Sequence, residues 1–368
     1  MITLFTLHSQ ASLTMIDRRW ISSLALAALA GSATTASAQA AMTVAPNHVQ
    51  VVSKEADRRV DVLVGGTPFT SYIWPTTQKK AVLFPIVAAN GTVITRGFPI
   101  DPRGTERIDH PHHAGLWFNY GDVNGLDFWN NSDAIRPAQA PKMGTIVHQS
   151  IRSAKSGAGE GSLDVSAQWV NPAGTPLLRE DTRFVFRSKD GVRSIGRTTT
   201  LTALDSVVNF GDNKEGVLGL RVARQLEHPS LKPEKYTDAS GKVTDVAKLD
   251  TAGVHGLYLS AEGKKGDDVW GTRAKWNMLT GDVNGKDVTV AILDHPKNKG
   301  FPTYWHARGY GLFAANPLGQ KAMTNGKGEE TTFKLEPKQS ITFQHEVLIL
   351  DGKATAADIE RHYTAFVR

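Results

Sequence analysis

Three segments of the chain break the alternating pattern of a strand core and carry residues suited to chemistry. The first runs from Asp109-His110-Pro111-His112-His113 through Gly115 and Trp117 to Asp122, Asn124, Asp127 and Trp129. The second is Gly211-Asp212-Asn213-Lys214-Glu215-Gly216, with Arg221 and Arg224 downstream. The third starts at Asp294-His295-Pro296 and passes Trp305, His306 and Arg308 to Tyr310-Gly311-Leu312-Phe313. In an extended chain His110 and His112 share one face while His113 points the other way, so two imidazoles could converge on one ion or one substrate hydroxyl. Pro111 argues against a sheet interior and Gly115 allows close backbone approach, which weighs the cluster towards function.

Two chemistries fit these residues. A divalent metal, as an optional cofactor, would be held by His110, His112 and His306, or by the pair with His295, His345, Asp109 or Glu215; two histidines and a carboxylate would leave an open coordination position. Acid–base work needs only a histidine near neutral pKa and a carboxylate in a contrasting environment. The candidate catalytic residues are Asp109, His110, His112, His113, Glu215 and His306. Glu215 is the favoured carboxylate, with Asp122, Asp127 and Asp212 as competitors, and a glycosidase would need two of them facing each other. For substrate binding, Trp117, Trp129, Trp270 and Trp305 offer faces on which sugar rings stack, and Arg221, Arg224, Arg273 and Arg308 could fix hydroxyls or a carboxylate. Asp122 and Asn124 join the binding candidates within Gly-Asp-Val-Asn-Gly, primarily a turn, since a complete calcium loop is absent.

Strands must position these groups. Segments 48–53, 60–64, 69–74, 145–154, 163–170, 182–187, 192–204, 288–294 and 339–350 alternate or are β-branched, with Gly, Asn or Asp turns between them. Asn90-Gly91 between 81–88 and 92–96 is the strongest hairpin signal. Residues 227–250 form a polar excursion. Helical periodicity is confined to 356–367, with Thr355 as its cap. The expected fold is all-β: a large antiparallel sandwich with a short C-terminal helix, formed as a single domain over 41–368.

The stretches Asp-His-Pro-His-His-x-Gly-Leu-Trp-Phe (109–118), Gly-Asp-x-Asn-Gly-x-Asp-Phe-Trp (121–129), Lys-Glu-Gly (214–216), Trp-Gly-x-Arg-Ala (270–274) and the run from Asp294-His295-Pro296 to Phe313 resemble the bacterial PmoA-like proteins. That name suggests a methane oxygenase subunit, a multispanning membrane protein, whereas this chain has no apolar run long enough to span. The resemblance implies carbohydrate chemistry instead.

Residues 1–40 read as an N-terminal extension and signal peptide. Arg18-Arg19 precede the apolar run 21–30, small residues at 36–40 offer cleavage sites, and translation is expected to start at Met15. The paired arginines fit a twin-arginine signal as well as an ordinary one. The chain has no cysteine, so thiolate metal sites and disulfides are excluded. Its net charge of +6 is spread along 368 residues, which disfavours nucleic acid as a partner. These observations lead to a periplasmic or secreted enzyme acting on a small-molecule carbohydrate through His and carboxylate chemistry. A non-catalytic carbohydrate-binding protein and a metal-dependent oxygenase are the alternatives.

Overall fold

The structure, a computed structural model, describes residues 44–368; the expected signal peptide lies outside them. Among the described residues two large antiparallel sheets dominate. One has nine strands, in the order Tyr304–Ala307, Leu312–Asn316, Gly216–Arg221, Leu116–Tyr120, Val82–Leu83, Thr67–Ile73, Arg59–Val64, His48–Lys54 and Gly157–Ala158. The other has eight: Leu257–Ser260, Trp276–Val283, Lys286–Asp294, Ser340–Asp351, Val192–Ala203, Pro176–Lys189, Glu160–Val170 and Thr145–Lys155. Side chains from both, such as Val60, Phe69, Leu116, Phe184, Ile195, Val290 and Val347, form one continuous core. The expected sandwich is what the chain builds, and the alternation within 176–189 buries every second residue from Leu178 to Phe186.

The C-terminal helix Ala356–Phe366 starts at Thr355 through a capping box with Asp358 and packs Ile359 and Tyr363 onto the outer face of the eight-stranded sheet. The Asn90-Gly91 turn is present, but its flanks contract to Val82–Leu83 and a single Val87–Val93 bridge. Pro85 removes a ladder donor from that segment.

The first four strands of the nine-stranded sheet matter most for function. They bring the three chemistry-bearing segments side by side: Leu116 pairs with Leu220, Leu220 with Phe313, and Ala315 with Trp305. These strands are buried on both faces, which is why their sequences read as apolar runs instead of alternating ones.

Candidate functional site

The histidine segment is a turn, not a strand. His113 N–H donates to the His110 carbonyl at 2.9 Å, and His110 takes a left-handed φ of 44°. The turn corrects the expectation that His113 faces away from its neighbours: all three histidines line one cavity of about 580 Å³. Gly115, at φ 59°, follows where a Cβ would lie 2.3 Å from the Leu83 carbonyl, so the loop can enter its strand only through glycine.

Beneath the loop, fully buried Arg221 donates to both oxygens of Asp109 at 2.9 Å and to His113 Nδ1 at 3.3 Å. Asp109 in turn meets His110 Nδ1 at 2.5 Å. Burial alone would raise the Asp109 carboxyl, but Arg221, the His110 bond and Arg96 hold it well below the usual carboxylate range. An ionised Asp109 makes His110 Nδ1 the donor and leaves His110 Nε2 as a lone pair on the cavity wall. Burial, opposed by Asp109, lowers the His110 pKa, so the ring is neutral near neutral pH. By the same logic His113 accepts from Arg221 at Nδ1 and carries its proton on Nε2. His112 is fixed through its carbonyl, which accepts from the buried Lys80 ammonium at 2.7 Å. Burial pushes that lysine down to about 7, against the charge of Asp127.

The cavity is also lined by Lys214 and Glu215, which pair with each other, together with Arg308, Tyr310, and the hairpin residues Glu234 and Tyr236. Arg308 lies 3.6 Å from Glu234, whose carboxyl burial pushes upward despite that arginine. Tyr310 stacks on His110 with ring centroids 4.8 Å apart, and Tyr236 meets His110 edge-on. Gln139, Asn130 and Asp127 complete the polar lining; Asp127 spends its oxygens on Trp129 N, Asn130 N and the Asn130 amide. Glu234, Tyr236, Gln139 and Lys80 were not among the residues expected from sequence. Glu234 and Tyr236 lie in the polar excursion, where no motif marks them.

Several expected binding residues stand elsewhere. Trp117 and Trp129 are 0% exposed below the cavity, where Trp117 stacks under His113 at 5.2 Å; they support the loop and present no face to a ligand. Trp305, also fully buried, donates its indole N–H to the Ala274 carbonyl within the sandwich core. Arg221 is committed to Asp109, Arg224 to Glu227 and Asp250, and Arg273 to the carbonyls of Gly300, Phe301 and Pro302. Asp122 and Asn124 line a separate open depression with Phe210 and Phe333. Asp212 caps backbone N–H groups of Lys321, Ala322 and Thr331.

His306 borders Glu215, 3.6 Å away, but its ring is already used: Nε2 accepts from Arg308 Nε at 3.1 Å, so Nδ1 is protonated and donates to the Lys214 carbonyl at 3.1 Å. Both ring nitrogens are thus engaged, bracing the Lys214 carbonyl beside Glu215 on one side and Arg308 on the other. His295 accepts from Lys297 N, and His345 sits inside the sandwich. Among the described residues, no group of three or more His, Asp or Glu side chains is arranged to hold a metal ion. The donor set expected for His110, His112 and His306 therefore does not converge.

A family model matches residues 59–364, most of the chain. The chain belongs to DUF6807, a family of unknown function. This corrects the resemblance to PmoA-like proteins: short Gly-, His- and Trp-rich motifs mark turn and strand positions but do not carry that family label. No curated protein matches the chain. The solved structures similar to this DUF6807 chain include the Slr1438 protein of Synechocystis sp. PCC 6803, at 12% identity and TM-score 0.33, covering 85% of this chain and 98% of that one. A galactose mutarotase-like protein from Clostridium acetobutylicum aligns at 12% identity and TM-score 0.34, covering 83% and 99%. The galactosidase domain of an alpha-galactosidase-sucrose kinase aligns at 9% and 0.38, covering 82% of this chain and 42% of that one. Similarities this distant leave the functional argument to the geometry of the cleft.

Proposed function

We propose that this DUF6807 protein binds a neutral, hydroxyl-rich sugar derivative in the histidine cleft and acts on it by proton transfer, with His110 as base and Glu234 as acid. One observation carries the reading. Among the described residues, five buried polar atoms on this one cavity have no hydrogen-bond partner: His112 Nδ1 and Nε2, His113 Nε2, Gln139 Oε1 and the Tyr236 hydroxyl. Buried polar groups are nearly always paired, so a cluster of unpaired donors and acceptors around a cavity is a surface prepared for a polar ligand.

Charge supports a neutral ligand. Each of the three cationic side chains lining the cavity already has partners: Lys214 the Glu215 carboxylate, Lys235 the Asp245 carboxylate, and Arg308 both the Glu234 carboxyl group and His306 Nε2. A ligand carboxylate or phosphate would have to displace one of them. Action outside the cytoplasm is part of the proposal and rests on the signal-like residues 18–40.

The test is calorimetric titration and product analysis over a panel of neutral monosaccharides, glycosides and their uronate counterparts. Binding of neutral members, with turnover reduced roughly a hundredfold or more in folded His110→Ala, is the expected result. Binding without turnover would make the protein a carbohydrate-binding module; no binding by any panel member would refute the reading.

A further inference from the structure

Arg96 is buried and is not part of the cavity lining. Its guanidinium is surrounded by the histidine loop. Nη1 donates to the carbonyls of Arg107 at 3.2 Å and Asp109 at 2.8 Å, and lies 3.4 Å from the Asp109 carboxylate. Nη2 donates to the carbonyls of His110 at 3.1 Å and His113 at 2.9 Å. Four carbonyls from a seven-residue loop thus point inward at one planar cation. That is an unusual arrangement for carbonyl dipoles, which repel one another unless a cation gathers them. It also explains how His110, a non-glycine residue directly before a proline, stays at φ 44°: the carbonyls on both sides of it are held.

The arginine is itself anchored. Its backbone N–H donates to the Arg221 carbonyl at 3.0 Å, and neighbouring Thr95 bridges Val222, so the residue is tied to the strand that also carries Arg221. One strand end therefore supplies two fixed references for the loop: Arg221 for the Asp109 side chain, and Arg96 for the loop backbone.

We propose that Arg96 is the positioning residue of the site, a template around which residues 107–113 fold so that Asp109 meets Arg221 and His110 presents Nε2 to the cavity. A lysine cannot replace it, because one ammonium cannot address four carbonyls through a rigid fork. The inference builds on the proposed role of His110, but its test needs no substrate.

The readout is the His110 Nδ1–H proton in full-length, ligand-free protein labelled with ¹⁵N-histidine. Its bond to an ionised carboxylate moves it far downfield, and His110→Gln assigns it. In Arg96→Met this signal should vanish or move upfield while the circular dichroism spectrum stays that of a folded sheet protein. Arg96→Lys should recover it only in part. Arg193→Met is the control: Arg193 is 4% exposed and clamps the Pro68 and Val87 carbonyls, both at 2.9 Å, with its hydrogen bonds outside the loop. Loss of a buried arginine there should leave the His110 signal in place. An unchanged signal in Arg96→Met would overturn the proposal, as would equal loss in Arg193→Met. If Arg96→Met does not fold, Arg96→Lys decides, and a wild-type signal in that variant refutes the template. Once a substrate is known, turnover in Arg96→Lys should fall on the order of a hundredfold, the size expected when a reacting group is misplaced. A signal that behaves as expected in a protein that binds no sugar would leave the template standing and refute the function.

Discussion

His110 and Glu234 enter the cleft with opposite protonation demands, and burial moves their pKa values in opposite directions, favouring the neutral form of each. His110 works as a base only when neutral, so activity should fall as pH drops through its lowered pKa. Glu234 works as an acid only when protonated, so activity should fall as pH rises through its raised pKa. The pH–rate profile is therefore expected to be bell-shaped. Glu234→Gln should remove the alkaline limb and lower the plateau by roughly a hundredfold. An alkaline limb that persists in that variant would assign the acid elsewhere. His306 makes the contrasting case. Glutamine can reproduce its one donor and one acceptor, so His306→Gln should keep turnover within a few fold, while His306→Ala frees both Glu215 and Arg308 and should cost at least ten times more. Near-equal rates for the two variants would show that His306 does more than brace its neighbours. Residue type alone cannot separate His306 from His110, since what distinguishes them is the partner of each nitrogen.

The excursion between Glu227 and Asp250 is the element that turns an exposed histidine loop into a cleft. Its neck is tied by two arginines: Arg224 pairs with Glu227 and Asp250, and Arg107 pairs with Glu227 and donates to the Asp250 carbonyl. Between these ends lies a hairpin of Glu234–Thr237 and Val243–Val246, pinned to the loop where His110 N–H donates to the Thr237 carbonyl at 2.5 Å. At its tip Gly241 has φ 78°, and a Cβ there would stand 2.1 Å from the Ala134 carbonyl. Gly241→Val should push the hairpin away from the 127–143 side of the cleft and weaken ligand binding by about tenfold or more, with little change in Tm because the hairpin belongs to neither large sheet. Calorimetry and thermal melts measured together test this, and a large drop in Tm with affinity intact would place the hairpin in the folding core instead. The excursion was recognisable in sequence as polar and Pro-containing, but its hairpin and its carboxylate were not. Strands with one wet face, such as 176–189, announce themselves by alternation. Those that carry the site, 116–120, 216–221 and 304–316, are covered on both faces, so their apolar runs look like interruptions and their adjacency is a property of sheet order, which no local pattern encodes.

At the scale of the whole molecule, one of the crossovers between the two sheets is 295–303, which leaves the strand Lys286–Asp294 and enters Tyr304–Ala307. Asp294 holds that crossover from inside the sandwich: it is 0% exposed and accepts from the Asn298 amide at 2.7 Å and Thr303 N at 2.9 Å. Across the ladder stands His345, 3.6 Å away, with neither ring nitrogen hydrogen-bonded among the described residues. Burial pushes Asp294 up to about 7, against Asn298, Thr303 and Arg273, and pushes His345 down to about 3, assisted by Arg197 and His295. The two shifts act on stability with opposite signs. Between about pH 4 and 7 the folded chain keeps the Asp294 proton that the unfolded chain releases, so this term weakens as pH rises. Below about 6.5 the unfolded chain takes up a proton that folded His345 refuses, so that term weakens as pH falls. In wild type the two nearly cancel between about pH 4.5 and 6, and removing one should expose the other. Relative to wild type, Asp294→Asn should gain stability as pH rises through this window and His345→Asn should lose it, each by up to about 1.4 kcal/mol per pH unit, the limit for one proton. Urea midpoints for the three proteins across the window measure the slopes directly. Differencing against wild type removes the shared contribution of the cleft histidines, so parallel curves would mean that the pair does not titrate in opposition and that the crossover is held by hydrogen bonds alone.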